Sequence, residues 1–147
     1  RRAKLIVENN NDEILICHMG VKYFLIGGHI DNDESDEECL VREVAEESGV
    51  TLDFSNILPI ASSNYINKDY PKNGDITYTN TNYYAIKYDL VPNIELQNLT
   101  EEEKKENFKL MCIPKNEVIN FLENTKEINA TLSDTIMAIK VYLNLQK

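Results

Sequence analysis

The chain has 147 residues and a formal net charge of −10, with 25 aspartates and glutamates against 15 lysines and arginines. This acidic balance excludes a nonspecific nucleic-acid binder, which needs a basic surface, and no apolar run reaches transmembrane length. The length predicts a single domain over residues 1–147 with a substantial core. The sequence leaves open whether the natural N-terminus extends beyond Arg1.

Three cysteines are scattered along the chain, and they are odd in number and lack metal-binding spacing: Cys17, Cys39 and Cys112. Reduced thiols of this kind, together with the lack of a signal-peptide pattern, predict a cytoplasmic protein.

The first part of the chain predicts a β-hairpin and a third strand. Residues 4–7 and 13–17 are rich in β-forming residues, and the polar residues 9–12 between them are typical of a turn. The third apolar run, residues 23–26, ends at Gly27 and Gly28, where paired glycines permit close approach of the backbone.

The next segment, residues 27–50, is strongly acidic. It holds nine carboxylates against one permanent cation, Arg42, and repulsion on that scale weakens a compact fold unless a positive charge lies among them. Ser35 and Glu38 form a capping-box pattern, which predicts a helix from about Asp36 with acids in its first turn. Gly49 is placed to end this helix in a left-handed conformation.

The two faces of this helix predict different roles. At roughly 100° per residue, the face expected to pack on the core carries Leu40, Val41, Val44, Ala45 and Ser48. The other face carries three glutamates that are surface neighbours, three and four residues apart: Glu43, Glu46 and Glu47. Adjacent carboxylates either raise their pKa values or share a cation, and hard oxygen ligands at this density favour Mg²⁺ or Mn²⁺.

Beyond this helix the pattern predicts two more strands, over residues 56–61 and 75–91. A polar loop over residues 64–74 joins them, and residues 79–82 are expected to form a bulge. Thr100 and Glu103 then form a second capping box in a helix-prone loop.

The C-terminal part predicts a strand over residues 108–113 and two helices. Pro114 is expected to begin the first helix, and Thr131 or Ser133 to cap the second. The order of elements predicts an α+β domain with a mixed β-sheet between helices.

The paired glycines, the acidic loop and the acidic helix together carry a family resemblance. Gly28, five residues, Glu34, seven residues and then the run REVAEESGV over residues 42–50 match every specified position of a Nudix box. The chain therefore resembles the Nudix hydrolases. The resemblance implies a Nudix-like α/β/α sandwich with a mixed central β-sheet, although Ile26 stands where the family commonly has a proline.

The resemblance also implies a reaction and a ligand set. Nudix hydrolases cleave a nucleoside diphosphate linked to another group by attack of water at phosphorus, with divalent metal ions that neutralise the phosphate. Glu43, Glu46 and Glu47 are implied as metal ligands, together with the Gly27 carbonyl. Either Glu43 or Glu47 could alternatively act as the general base.

The remaining residues of the box are implied to support the site rather than to react. These are Gly28, Glu34, Arg42 and Gly49. Arg42 is expected to pair with Glu38 or Glu46, or to reach back to Glu34 in the loop and brace the helix.

Outside the box, several family members bring a further glutamate from the loop before the last strand. Glu106 is the candidate here, with Glu103 as the second choice, and a solvated loop charge is the competing interpretation. His18 lies near the position where the family often has a phosphate-contacting basic residue, although a lone histidine is more often a surface residue.

Tyrosines in the strands are candidates for contact with a nucleotide base. Tyr65, Tyr83 and Tyr84 are placed for this role, of which Tyr65 is the preferred substrate-binding residue. Aromatic residues in strands more often pack in the core.

The leading hypothesis is a nucleotide pyrophosphohydrolase that depends on Mg²⁺ or Mn²⁺ and acts on a nucleoside triphosphate or another small nucleotide. The alternative is a Nudix-fold nucleotide-binding or sensing module with little or no catalysis, and a third hypothesis is an acidic protein without phosphate chemistry. The intact set of three glutamates favours the enzyme. We expect a small-molecule partner, no nucleic-acid polymer and no membrane. Homodimers are common for the Nudix fold, so the resemblance implies a homodimer as one assembly to test.

Overall fold

The computed structural model describes residues 1–69, 72–125 and 130–147. In these ranges seven strands form one sheet: β1 (Arg2–Glu8), β2 (Glu13–Met19), β3 (Lys22–Phe24), β4 (Ile26–His29), β5 (Leu58–Lys68), β6 (Ile76–Lys87) and β7 (Lys109–Pro114). The α-helices there are α1 (Asp36–Ser48), α2 (Glu101–Lys105), α3 (Val118–Glu123) and α4 (Ala130–Leu145). No helix in the described part of the chain is long and apolar enough to span a membrane.

The sheet is mixed, and it opens between β1 and β2. The strand order is β3-β2-β1-β6-β5, with β7 paired to β2 and β4 paired to β1. β1 runs parallel to β6 and meets β2 at the pair Glu8–Ile14. Toward its other end β1 pairs with β4 instead, while β2 pairs with β3. The side chain of Lys4 in β1 extends into this opening, where its Nζ donates to the Leu25 and Gly27 carbonyls.

Helices cover both faces of the sheet. One core lies between the sheet and α1 and includes Leu5 and Leu40, and the other lies beneath α3 and α4 and includes Ile6 and Ile139. Leu5 and Ile6 are consecutive in β1 and enter opposite cores, as the alternation of side chains in a strand requires. The arrangement is an α/β/α sandwich, and the predicted α+β class with a mixed sheet is confirmed.

The acidic helix α1 begins and ends where the sequence predicts. The Glu38 amide donates to Ser35 Oγ at 3.1 Å and the Glu38 carboxylate accepts from the Ser35 amide at 3.1 Å, which completes the capping box. Gly49 follows the helix with a φ of 75°, and its N–H donates to the Ala45 carbonyl. A Cβ at Gly49 would lie 2.1 Å from the Asn93 carbonyl oxygen, so this left-handed cap also needs the space that glycine leaves.

The predicted loop over residues 64–74 is wrong at its start, because β5 continues to Lys68. Residues of its second half alternate between half-buried and exposed, which is the pattern of a strand with one face toward solvent. The register shift lies between Pro59 and Ala61 in β5 rather than at residues 79–82. Tyr70 and Pro71 of the predicted loop lie outside the described residues.

Two helix starts near the C-terminus also differ from prediction. Pro114 ends β7, where it pairs with Glu13, and α3 begins at Val118. Proline lacks an N–H and is tolerated there because β2 is the one strand that pairs with β7 among the described residues. α4 begins at Ala130, so Thr131 and Ser133 lie inside the helix and do not cap it. The capping box of Thr100 and Glu103 is confirmed at the start of α2.

Candidate active site

Arg42 in α1 joins the acidic loop to the acidic helix. Its Nε and Nη2 atoms donate to the two carboxylate oxygens of Glu34 at 2.8 and 2.9 Å. Nη2 also donates to the His29 carbonyl at 2.9 Å, and Nη1 donates to Glu43 Oε1 at 3.0 Å. The hydrogen bonds from Arg42 lower the pKa of Glu34 to about 2. Of the predicted partners of Arg42, Glu34 is the principal one, and Glu46 follows at 3.5 Å; Glu38 is used in the capping box instead.

The glycine pair of the box lets the loop approach α1 closely. A Cβ at Gly28 would lie 2.5 Å from Glu43 Oε1, so a larger residue would displace the carboxylate that Arg42 holds. Cys39 Sγ lies 3.6 Å from the Gly28 carbonyl and 3.4 Å from the His29 carbonyl. This places Cys39 against the loop.

Glu47 is buried between α1 and the sheet, with 3% of its surface exposed. The prediction that it shares the outer face of the helix is therefore wrong. Its Oε1 accepts a hydrogen bond from the Gly27 amide at 3.2 Å, which gives the buried carboxylate a backbone partner. Burial raises the pKa of Glu47 to about 8, although the Lys4 charge and the Gly27 N–H act in the opposite direction.

The other two glutamates of the set are more exposed. The exposed fraction of the side chain is 16% for Glu43 and 36% for Glu46. Burial raises the pKa of Glu43, Arg42 opposes that shift, and the charge of Glu46 adds to it. The three carboxylates thus extend from the buried side of α1 to its solvent-facing side.

Lys4 in β1 places a cation beside these glutamates, and sequence reasoning missed it. Lys4 Nζ donates to the Leu25 carbonyl at 3.1 Å and to the Gly27 carbonyl at 3.2 Å. It also lies 5.2 Å from the centroid of the Phe24 ring. Burial lowers the pKa of Lys4, whereas the nearby charge of Glu47 raises it. The signal in the sequence was a lysine that is followed by three apolar residues within a strand.

The structure places the two candidates for a fourth glutamate differently. Glu106 lies beside Gly20, where a Cβ would be 2.5 Å from Glu106 Oε2. Glu103 is half-buried, and its charge adds to the upward pKa shift of Glu47. Glu103 is thus the candidate whose charge acts on the buried glutamate, and the role of either stays a prediction.

His18 and Tyr65 line two different cavities. His18 stacks on Tyr23 with ring centroids 4.2 Å apart, in a cavity of about 600 Å³ that Phe121 also lines. Tyr65 lines a cavity of about 370 Å³ together with Arg1, Arg2 and His29. The structure does not bring the two predicted substrate residues together. The alternative tyrosines face other partners, since Tyr83 is buried in the core and Tyr84 donates to Asp36.

The cavity beside Tyr65 has a positively charged wall next to the acidic loop. Arg1 donates to Asp36 at 2.9 Å, at the first turn of α1. Arg2 Nε is a buried side-chain nitrogen that has no hydrogen-bond partner within the described residues. Burial and the charge of Arg2 lower the pKa of His29, which follows the glycine pair directly. A buried donor without a partner is a favourable contact point for an anionic ligand.

The donor set at α1 suits a hard divalent cation by its chemistry. Two carboxylates of the set have pKa values raised by burial, so a neighbouring cation would favour their ionised forms. Among residues 1–69, 72–125 and 130–147, no three His, Cys, Asp or Glu side chains already converge on one point. Glu43 is turned toward Arg42 and Glu47 toward the Gly27 amide. The residues therefore fit a divalent metal as ligands, with rearrangement of these two side chains.

A family model described as the NUDIX domain matches residues 1–133. The chain belongs to the Nudix family. It is thus a hydrolase that acts on phosphoric anhydride bonds, in a family of nucleotide pyrophosphohydrolases that act on small nucleotides and generally use divalent metals. A comparison with curated protein sequences gave no significant match.

Solved structures of low sequence identity share the fold. The dihydroneopterin triphosphate pyrophosphohydrolase of E. coli superposes with a TM-score of 0.64 at 11% identity, covering 97% of this chain and 94% of that one. The MutT protein from Methanosarcina mazei Go1 gives 0.62 at 16% identity, covering 99% and 94%. The ORF135 protein of E. coli gives 0.60 at 17% identity, covering 99% and 89%. These likenesses establish the Nudix fold for this chain.

Proposed function

We propose that this Nudix protein hydrolyses a nucleoside triphosphate or another small nucleotide at its diphosphate, with Mg²⁺ or Mn²⁺ bound by Glu43, Glu46 and Glu47. The observation that carries the proposal is the set of three carboxylates on α1, two of them with pKa values raised by burial. A bound divalent ion would neutralise phosphate oxygens and lower the pKa of the attacking water. The Gly27 carbonyl completes the predicted ligand set, although Lys4 already donates to it.

The chain's own residues have distinct tasks in this proposal. Arg42 and Glu34 hold the loop on the helix, Gly28 leaves room for Glu43, and Gly49 ends the helix. Glu47 and Glu43 are both candidates for the general base. Glu47 has a pKa raised to about 8, which suits proton exchange near neutral pH.

The cavity lined by Arg1, Arg2, His29 and Tyr65 is the proposed substrate pocket. It adjoins the box through His29 and carries positive charge in a strongly acidic chain. Tyr65 offers an aromatic face to a base, and Arg2 offers a buried donor to an anionic group. His18 lines a separate cavity and is a weaker candidate for the same ligand.

The proposal also covers the number of domains, the cellular location and the assembly of the protein. The sheet joins β7 near the C-terminus to β2 near the N-terminus, which supports a single domain over residues 1–147. A cytoplasmic location and assembly as a homodimer belong to the same proposal, and gel filtration with light scattering tests the assembly.

The decisive experiment is product release from a panel of nucleoside triphosphates, nucleotide sugars and dinucleoside polyphosphates, with Mg²⁺ and then with chelator. We expect turnover of at least one substrate only with metal. Glu46→Gln should lower kcat/KM at least about 100-fold, because it removes a proposed metal ligand. Mutation of residues that only hydrogen-bond a metal ligand already lowers metal affinity or activity about 10- to 100-fold. Glu37→Gln is the matched control, since it removes the same charge from the first turn of the same helix.

The outcomes separate the competing functions. Turnover that survives chelation, or equal loss in Glu46→Gln and Glu37→Gln, would contradict the proposed metal site. No turnover on any substrate, with Mn²⁺ binding intact, would favour the nucleotide-binding or sensing module instead.

A further inference from the structure

Lys4 is a cation fixed by backbone groups within the opening of the sheet. It lies in β1 opposite Gly27 of β4, and its ammonium donates to the carbonyls of Leu25 and Gly27. The ring of Phe24 lies beside the ammonium at 5.2 Å from its centroid. Three contacts define one position for the charge: Phe24 in β3, Gly27 in β4 and Leu25 between the two strands.

The ammonium lies beside the most deeply buried ligand candidate. Glu47 Oε1 accepts from the amide of Gly27, the same residue whose carbonyl accepts from Lys4 Nζ. Lys4 and Glu47 also interact electrostatically. The charge of Lys4 therefore offsets part of the cost of burying this carboxylate. The outer glutamates, Glu43 and Glu46, instead share the Arg42 guanidinium at the edge of the site.

A divalent ion on the Gly27 carbonyl would meet this ammonium at short range. Like charges at such a distance repel strongly in a region from which water is largely excluded. A carbonyl oxygen that already accepts a hydrogen bond from an ammonium is also a weaker ligand for a metal ion.

We propose that the Lys4 ammonium takes the place of a metal ion at the Gly27 carbonyl and Glu47, and that it thereby lowers the number of metal ions the site binds. This inference rests on the metal site of the proposed function and narrows it, because it removes Glu47 and the Gly27 carbonyl from the metal ligands of the native chain. Metal binding in the native chain is then confined to the more exposed carboxylates, Glu43 and Glu46. Lys4 acts as a positioning residue that sets the metal stoichiometry.

Titration with Mn²⁺ in the absence of nucleotide tests the inference, with free Mn²⁺ followed by electron paramagnetic resonance. We expect Lys4→Met to bind one more Mn²⁺ per chain than the native protein, because methionine has a similar length and no charge. Lys4→Arg, which keeps a cation, should retain the native stoichiometry. Lys87→Met is the matched control, since it removes an exposed lysine from the neighbouring strand β6.

Equal stoichiometry and affinity in the native protein and Lys4→Met would overturn the inference. An extra ion in Lys4→Arg as well would also overturn it, since the charge would then not be the cause. Mn²⁺ binding by neither protein would refute both this inference and the proposed metal site. An extra ion in Lys4→Met, together with absence of hydrolysis by the native protein, would support the inference and refute only the proposed catalysis.

A second measurement needs no substitution. The Phe24 ring should shift the NMR signals of the Lys4 ε-methylene protons away from those of exposed lysines, which identifies them in protein labelled with ¹³C-lysine. We expect that shift to persist at saturating Mg²⁺, because the ammonium keeps its place. Its collapse to the position of exposed lysines would show that metal displaces Lys4 and would overturn the inference.

Discussion

At the scale of single residues, the pairing of Arg42 with Glu34 holds the acidic loop in place. Arg42 donates two hydrogen bonds to the Glu34 carboxylate and a third to the His29 carbonyl. A charge-assisted bidentate pair of this kind fixes orientation as well as contributing energy. Because the loop carries Gly28 and His29 beside the glutamates, this pair sets the geometry of the candidate site.

The first prediction concerns the acid sensitivity of this pair. Arg42 lowers the pKa of Glu34 to about 2 in the folded protein, against 4.5 as the ordinary value. The stabilisation is therefore fully present above pH 4.5 and is lost as the pH falls toward 2, up to about 3 kcal/mol in all. Glu34→Gln should lower the free energy of unfolding by about 1–3 kcal/mol at pH 7.

Urea unfolding of both proteins between pH 7 and pH 2.5 measures this difference. We expect the gap between native and Glu34→Gln proteins to shrink steadily below pH 4.5. A gap that stays constant over this range would show that Glu34 stabilises the fold by packing rather than by its charge.

At the scale of elements, Glu8 connects the end of β1 to the last turns of α4. Its carboxylate is 2% exposed and accepts from Tyr142 Oη at 2.6 Å, Gln146 Nε2 at 2.7 Å and Lys115 Nζ at 3.3 Å. Burial alone would raise the pKa of Glu8, but these donors outweigh it and lower the pKa. The contact therefore fixes α4 on the side of the sheet opposite the metal-ligand candidates.

The second prediction is that Tyr142→Phe lowers the free energy of unfolding by about 1–3 kcal/mol, because a buried carboxylate loses a donor. The value of kcat should change little, since α4 and α1 cover opposite faces of the sheet. Thermal unfolding and the hydrolysis assay measure the two effects. Tyr78→Phe is the control for thermal unfolding, because Tyr78 is 74% exposed, and an equal loss of stability in both variants would contradict the role given to Glu8.

Sequence patterns predicted α1 well because its signals are local. The capping box at Ser35 and the left-handed Gly49 depend on residues within one turn, and both are confirmed. Helical periodicity could not predict the burial of Glu47. The buried carboxylate accepts its hydrogen bond from the Gly27 amide, which lies in a strand that is distant in the sequence. Lys4 was missed for the same reason: its partners are carbonyls that only the opening of the sheet brings near.

At the scale of the whole molecule, dissolved cations stabilise this chain of net charge −10 in two separable ways. Repulsion among the carboxylates weakens the compact state, and any salt screens it. A metal ion bound at α1 stabilises the fold in addition, by mass action, and only a divalent cation supplies this part. At a free concentration 100 times its Kd, one bound ion adds about 2.7 kcal/mol to the free energy of unfolding, or about 5–10 °C in Tm for a chain of this size.

The third prediction is therefore that MgCl₂ raises Tm by several degrees more than KCl of equal ionic strength. Glu46→Gln should keep the response to KCl and lose most of the extra response to MgCl₂, as calorimetry on chelator-treated protein can measure. Equal responses to the two salts in the native protein would mean that the chain gains only screening from Mg²⁺, and would remove the basis for a metal site on α1.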